Sequence, residues 1–248
     1  MTAVFVHGNP ETPAVWEPLL AQLERRDTVA LHLPGFGVPA PAGFGATKEE
    51  YVDWLIGELE AIGEAVDLVG HDWGGGFVLR VACLRPDLLR SWVSDVGGMM
   101  VPDFKWHDLA LVWQTPGAGE EFFATMTAPP PEERAKALEG FGITAPAALA
   151  FATALDDEMV RCILALYRSA IQPAMNEWAS DAHAAAARPG LIISAANDPF
   201  TGGGELSATA ATATGAQSVV ISDVGHWWML EDPARGAKAI EAFWAGVR

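Results

Sequence analysis

Residues 68–76 read LVGHDWGGG, and the fold turns on this stretch. Two apolar residues run into Gly70-His71-Asp72-Trp73-Gly74, with a glycine two positions to either side of Asp72. That spacing suits a sharp strand-to-helix turn, where missing side chains let the backbone double back against its neighbours. Such a turn usually presents a serine for acyl transfer. Here it presents a carboxylate.

On both sides of this turn, short apolar runs bounded by turn residues alternate with amphipathic stretches, the pattern of a parallel α/β sheet. Strands are expected over 2–6, 27–32, 66–69, 91–96, 190–195 and 217–222, and helices over 14–25, 47–62, 74–84 and 234–247. The second helix opens with Thr47-Lys48-Glu49-Glu50, a capping box before an apolar periodic run. Between about 99 and 188 the strand rhythm stops, in a region holding helical segments, Pro129-Pro130-Pro131 and an alanine run at 184–187. A structureless loop of that length does not fit a compact domain. The expected organisation is therefore an α/β core formed by 1–98 and 189–248, with a helical lid inserted over 99–188.

With 248 residues, half of them apolar, the chain can build one domain with a sizeable core. Its 32 acidic against 15 basic residues give a formal charge of −17. Such a surface repels phosphate backbones and anionic lipid, so neither nucleic acid nor membrane is an expected partner, and anionic substrates are slowed. Cys83 and Cys162 read as buried free thiols in a reducing compartment. Met1 leads directly into TAVFV, too short a run for a signal peptide or a membrane span. A soluble, cytoplasmic protein is expected. The six histidines show no close ligand spacing, so neither a metal nor another cofactor is expected.

Four motifs follow expected strands in order: His7-Gly8-Asn9-Pro10, Gly70-His71-Asp72-Trp73-Gly74, Asp198, and Gly225-His226-Trp227-Trp228. In that order they resemble the oxyanion loop, nucleophile elbow, acid and histidine of the α/β-hydrolases, over nearly the whole chain. That family usually has two further strands before the oxyanion loop, whereas here the loop begins at His7. The resemblance therefore implies a sheet without those strands, with a former interior strand near an edge that a second copy of the chain could cover.

The carboxylate at the elbow selects the chemistry. A serine attacking a saturated carbon would make an ether, a dead end; a carboxylate makes an ester, which water can cleave. Asp72 needs no base to ionise, which leaves His226 to activate water in a second step. The resemblance implies Asp198 as the partner of His226, with Asp95, after the preceding strand, as the other position used for this acid. Backbone N–H groups of Trp73 and Asn9 are the expected donors to the developing oxyanion. His7 and His71 read as packing and loop-shaping residues.

Epoxides and alkyl halides both fit this scheme. An opening epoxide needs a proton, and Tyr167-Arg168 resembles the lid motif with which epoxide hydrolases grip the epoxide oxygen. Those enzymes usually carry a second tyrosine early in the lid, and His107 falls near that place. A departing halide needs only N–H donors, and Asn9 with Trp73 resembles the halide-binding pair of haloalkane dehalogenases. The arginine that fluoroacetate-type dehalogenases carry after the nucleophile is Trp73 here. Trp106 and Trp227 are candidate walls of an apolar pocket for a small, uncharged, hydrophobic substrate. The reading is an epoxide hydrolase forming a vicinal diol; haloalkane dehalogenation is the alternative, and a non-catalytic ligand-binding relative the lesser one.

Overall fold

The computed structural model describes residues 2–102 and 104–247. Six short strands are laid down in chain order: β1 (Ala3–Val6), β2 (Thr28–Leu31), β3 (Val66–Gly70), β4 (Leu89–Ser94), β5 (Gly190–Ala195) and β6 (Gln217–Ile221). All pair in parallel, in the order β2-β1-β3-β4-β5-β6. Strands buried on both faces read as continuous apolar runs, and the two faces separate by alternation. Val4, Val6, Leu68 and Ile192 join one core, while Ala3, Phe5, Val69, Val93, Leu191 and Ile193 join the other. β2 and β6 form the edges, and on β6 Val220 is exposed.

The helices cover both faces. A 3-10 turn at Pro13–Trp16 leads into α1 (Glu17–Gln22), and α2 (Lys48–Ile62) starts with the expected capping box between Thr47 and Glu50. Gly63 ends α2 with φ 77°, a left-handed conformation that suits glycine. α3 (Trp73–Leu84) follows β3 directly. Between β4 and β5 the chain forms α4 (Asp108–Gln114), α5 (Ala118–Thr127), α6 (Pro131–Glu139), α7 (Ala145–Ala154) and α8 (Asp157–Ser169). A 3-10 stretch, Asn176–Ala187, then returns to the sheet, where Asp181 pairs with Arg80 of α3 and the Ala185 carbonyl accepts from Trp92. α9 (Gly203–Thr214), α10 (Trp228–Glu231) and α11 (Pro233–Gly246) complete the chain.

Three local expectations are corrected. The helix expected over 14–25 stops at Gln22, because Leu23 is extended. β4 spans 89–94 rather than 91–96, which puts Asp95 beyond the strand's end. α9 was not expected; its Ala- and Thr-rich sequence GGELSATAATAT carries little apolar periodicity.

From β1 the chain passes outward to β2, then returns across β1 to β3. Strand order reverses between β1 and β3, and ligands of open α/β sheets bind beyond the carboxyl ends of strands at such a reversal. The loop at Asn9 and the turn at Asp72 are the carboxyl ends of those two strands.

Candidate active site

Asp72 has φ 50° and ψ −127°, a conformation costly for a residue with a side chain. Its surroundings hold it there. A Cβ on Gly74 would overlap the carbonyl oxygens of Val6 and His7, and one on Gly70 would overlap the Gly74 carbonyl. A Cβ on Gly8 would run into the Asp72 side chain itself. These glycines bring the ends of β1 and β3 into backbone contact. As a result the Asn9 N–H donates to Asp72 Oδ1 at 2.9 Å, with the Trp73 N–H also aimed at this carboxylate. Burial pushes the Asp72 carboxyl up to about 6, against the opposing pull of His226 and His71.

His226 lies in the loop after β6. Its Nδ1 sits 2.8 Å from Asp198 Oδ2, and its Nε2 is 3.9 Å from Asp72 Oδ2. Asp198, just after β5, is fixed by the Phe200 N–H, which donates to its other oxygen at 2.8 Å. Burial and the charge of His71 oppose protonation of His226, yet Asp198 and Asp72 hold its pKa above the ordinary 6.5. Burial would raise Asp198, but the hydrogen bond and charge of His226 hold it below the usual carboxylate range.

Asp95 is occupied elsewhere. Its Oδ2 lies 2.5 Å from His71 Nδ1 and accepts from Trp228 at 2.7 Å, while its Oδ1 accepts from the Asp72 N–H at 3.0 Å. It steadies the turn, and the carboxylate that reaches His226 Nδ1 is Asp198. On the other side of His71, Glu11 Oε1 lies 3.0 Å from Nε2 and accepts from Trp227 at 2.7 Å; Oε2 accepts from the Gly8 N–H at 2.9 Å. Burial opposes charge on both partners, yet Glu11 with Asp95 raises the His71 pKa well above its ordinary value, and His71 holds Glu11 down at about 2. A buried imidazolium thus sits with its ring 4.5 Å from that of His226. Sequence reading gave His71 only a shaping task and missed Glu11. The signal available was an acidic residue two positions past Asn9, in a loop bounded by apolar runs. Glu11, His71 and His226 bring ligand-type atoms within 4.8 Å of one another. Each is already hydrogen-bonded, and a cation there would face an imidazolium, so this cluster suits a charge network better than a metal. His7 is a neutral loop residue: burial lowers it to about 4, and its Nε2 accepts from the Leu33 N–H.

Above Asp72 lies a cavity of about 300 Å³, bordered by Asn9, Asp72, His107, Tyr167, His226 and Trp227 at its base and by carbon-rich side chains of α4 to α7 beyond them. Tyr167, on α8, is buried, and its hydroxyl accepts from Asn9 Nδ2 at 3.3 Å. Burial, with the charge of Asp72, raises its pKa well above the ordinary value of 10, so it stays a phenol. His107 caps α4: its Nδ1 accepts from the Ala110 N–H at 3.2 Å, which leaves the proton on Nε2. Burial and His226 lower the His107 pKa, so at neutral pH it offers an N–H donor rather than an acidic proton. Trp106 donates to the Ala170 carbonyl and borders a separate void of about 20 Å³ beside Asp72, rather than the main cavity. The Trp73 indole N–H is buried without a hydrogen-bond partner, and its ring packs between Trp106 and Tyr167. Chemically, the set offers a carboxylate with one oxygen held by the Asn9 N–H, a histidine oriented by a second carboxylate, and a phenol close by.

Comparisons with known proteins agree on the fold and differ on the reaction. The chain is 34% identical over 94 residues to 2-(acetamidomethylene)succinate hydrolase of Mesorhizobium japonicum, covering 37% of this chain and 34% of that protein. It is 34% identical over 98 residues to epoxide hydrolase 2 of Siraitia grosvenorii, covering 37% and 30%. These matches span about a third of the curated relatives' length. The crystal structure of a haloalkane dehalogenase from Bradyrhizobium elkani superimposes with a TM-score of 0.76 at 19% identity, over 99% of this chain and 90% of that one. Three names with three reactions leave the choice of chemistry to the site. Residues 3–239 match the model of the alpha/beta hydrolase family, and the chain belongs to that family.

Proposed function

We propose that the protein hydrolyses an apolar epoxide to a vicinal diol through an ester on Asp72. The observation that carries this reading is the buried Tyr167 hydroxyl, which shares the cavity with Asp72 and accepts from Asn9 Nδ2. A phenol that accepts from a neighbour keeps its own O–H free for another oxygen. Asp72 Oδ2, the oxygen outside the backbone cradle, attacks the less hindered epoxide carbon. The carbon–oxygen bond of the ring breaks, and Tyr167 supplies the proton its oxygen needs, with the His107 N–H as a second donor. In the second step His226 Nε2 takes a proton from water, and hydroxide adds to Cγ of the Asp72 ester. The oxyanion develops on Oδ1, to which the Asn9 N–H already donates, with the Trp73 N–H on the same carboxylate. Collapse breaks the Cγ–Oδ2 bond, the departing diol oxygen takes the proton of the newly formed Asp72 carboxyl, and the proton that His226 took from water passes to the Tyr167 phenolate.

Haloalkane hydrolysis is the second reading, and the unpartnered Trp73 indole N–H favours it. It ranks lower because the Asn9 amide is engaged by Tyr167, and Trp73 does not border the main cavity. One experiment separates them. His226→Gln stalls the second step, so intact-mass analysis after exposure to an aryl epoxide, and separately to a bromoalkane, reports which one loads. An epoxide adduct on the peptide containing Asp72 supports the first reading, and loading by the bromoalkane alone supports the second. No adduct from either would sink the nucleophile assignment.

A further inference from the structure

The turn at Asp72 uses Gly74, yet Gly75 and Gly76 follow it inside α3, where glycine is a poor helix former. Both sit under the end of β4 and the loop after it. A Cβ on Gly75 would lie 2.8 Å from Ser94 Oγ and 2.9 Å from Val96 Cγ2, and one on Gly76 would lie 2.8 Å from Met99 Sδ. The two glycines thus seat Val96 and Met99 closer to α3 than alanines would allow. With Phe104 and Trp106, these side chains wall the void of about 20 Å³ beside Asp72. All four walls are buried. Trp106 is held by its bond to the Ala170 carbonyl at 2.9 Å, and Phe104 packs edge-on against it with ring centroids 4.9 Å apart. The void and the main cavity of about 300 Å³ are both bordered by Asp72, His107, Tyr167 and Phe200, so they adjoin at the reacting groups.

We propose that Met99 and Val96 determine specificity by closing this void: one epoxide carbon sends its chain into the main cavity, and the other carries nothing larger than a methyl group. This rests on the reading of Asp72 and Tyr167 as the groups that open the ring. An epoxide with a carbon at Asp72 Oδ2 and its oxygen at the Tyr167 hydroxyl stands where the two spaces adjoin, and its two carbons direct their substituents apart. The larger space takes a hydrophobic chain or ring. The smaller admits a single group about the size of a water molecule. An ethyl group there must displace a wall, and a close-packed interior resists each added methylene. Met99 is the longest unbranched side chain among the walls, so truncating it opens the void while both rings stay in place.

The test uses positional isomers. trans-2,3-Epoxyoctane and trans-4,5-epoxyoctane share mass, polarity and a secondary carbon at each ring position, so their intrinsic reactivities are alike. They differ in how the carbons divide: methyl and pentyl in the first, propyl and propyl in the second. One methylene in an apolar pocket already changes kcat/KM about 10-fold or more. The wild type should therefore prefer the 2,3-isomer by at least about 10-fold in kcat/KM, and Met99→Ala should cut that ratio by about 5-fold or more. A smaller wild-type ratio, or one that Met99→Ala leaves in place, would overturn the proposal. Should Met99→Ala fold poorly, Val96→Ala takes its place, and the wild-type ratio remains decisive. In a second arm, 2-bromooctane and 4-bromooctane, which place a methyl or a propyl group on the attacked carbon, are loaded onto His226→Gln and read by intact mass. Loading of 2-bromooctane in preference to 4-bromooctane, without turnover of either epoxide, would leave the subsite standing and overturn the epoxide reading instead. No reaction with any of the four compounds would overturn both.

Discussion

Asp72 Oδ2 stands 3.9 Å from His226 Nε2, beyond hydrogen-bond range, while Oδ1 of the same carboxylate accepts from the Asn9 N–H at 2.9 Å. The two oxygens are therefore inequivalent before any substrate arrives. One is held where an ester carbonyl oxygen would remain, and the other faces the cavity with lone pairs not engaged by the imidazole. His226 directs Nδ1–H at Asp198, which leaves Nε2 as the basic nitrogen. On the proposed reading, attack and hydrolysis fall to separate groups, Asp72 and His226, that make no hydrogen bond to each other.

That division makes an isotope prediction. If water attacks Cγ of an Asp72 ester, the oxygen that leaves with the diol comes from the enzyme. In a single turnover in 18O-water with enzyme in excess, the label should appear on the peptide carrying Asp72, and the diol should contain none. Label in the diol and none in the peptide would mean that water attacks the substrate directly.

The raised pKa of Asp72 sets a pH dependence for the first step. Only the carboxylate attacks, so adduct formation should increase with pH through the Asp72 pKa and then level off. His226 lowers that pKa in the wild type, so in His226→Gln the midpoint should fall at or above about 6. Quenched-flow mass spectrometry between pH 5 and 9 reads it. A rate independent of pH across this range would remove Asp72 ionisation from the step.

The same shift is a statement about stability. A carboxyl with a pKa of 3.8 unfolded and about 6 folded binds more protons in the native state. Stability is therefore lost as pH rises from about 4 to 6 and stays lost above. Two pKa units correspond to at most about 3 kcal/mol. Asp72→Asn keeps an acceptor for the Asn9 N–H, and asparagine tolerates positive φ. It should abolish turnover while raising Tm at pH 8 by several degrees, with the gain shrinking toward pH 4. A Tm that falls at pH 8 would contradict the burial cost assigned to Asp72.

The elements legible in the sequence carry their signal locally. The alternating apolar runs, the glycines around Asp72 and the capping box at Thr47 each act within a few residues, and the structure has all of them. The four motifs were legible because each sits where a strand ends. What was not legible depends on distance in the chain. Glu11 meets His71 across 60 residues, and Asp95 was a candidate partner of His226 until its bonds to His71 and Trp228 were seen. α9 escaped because its helix rests on packing rather than on an apolar stripe.

The two acids near the site should fail in different ways. Asp198 orients His226, so Asp198→Ala should slow ester hydrolysis and let the Asp72 adduct accumulate, with a loss of Tm smaller than that of Asp95→Ala because Asp198 holds fewer partners. Asp95 neutralises a buried imidazolium and holds the Asp72 N–H, so its loss acts first on the fold. Breaking one arm of a buried charge network costs about 3 kcal/mol or more, and Asp95→Ala should lower Tm by many degrees. Thermal melts and adduct mass on the two variants check this. Accumulated ester in Asp95→Ala, without it in Asp198→Ala, would reverse the assignment of the acid.

Tyr167→Phe isolates the leaving-group proton. The substitution keeps the ring packed between Trp73 and Trp113 but strands Asn9 Nδ2, at a cost of about 1 kcal/mol in stability. Loss of a positioned proton donor typically slows a step about 100-fold or more. In the His226→Gln background, which reads alkylation alone, Tyr167→Phe should slow loading of an epoxide by that factor. A bromoalkane leaves as halide and takes no proton, so any slow loading by it should be unchanged or faster once Asn9 is free to donate. Equal effects on both electrophiles would mean that Tyr167 shapes the cavity without supplying a proton.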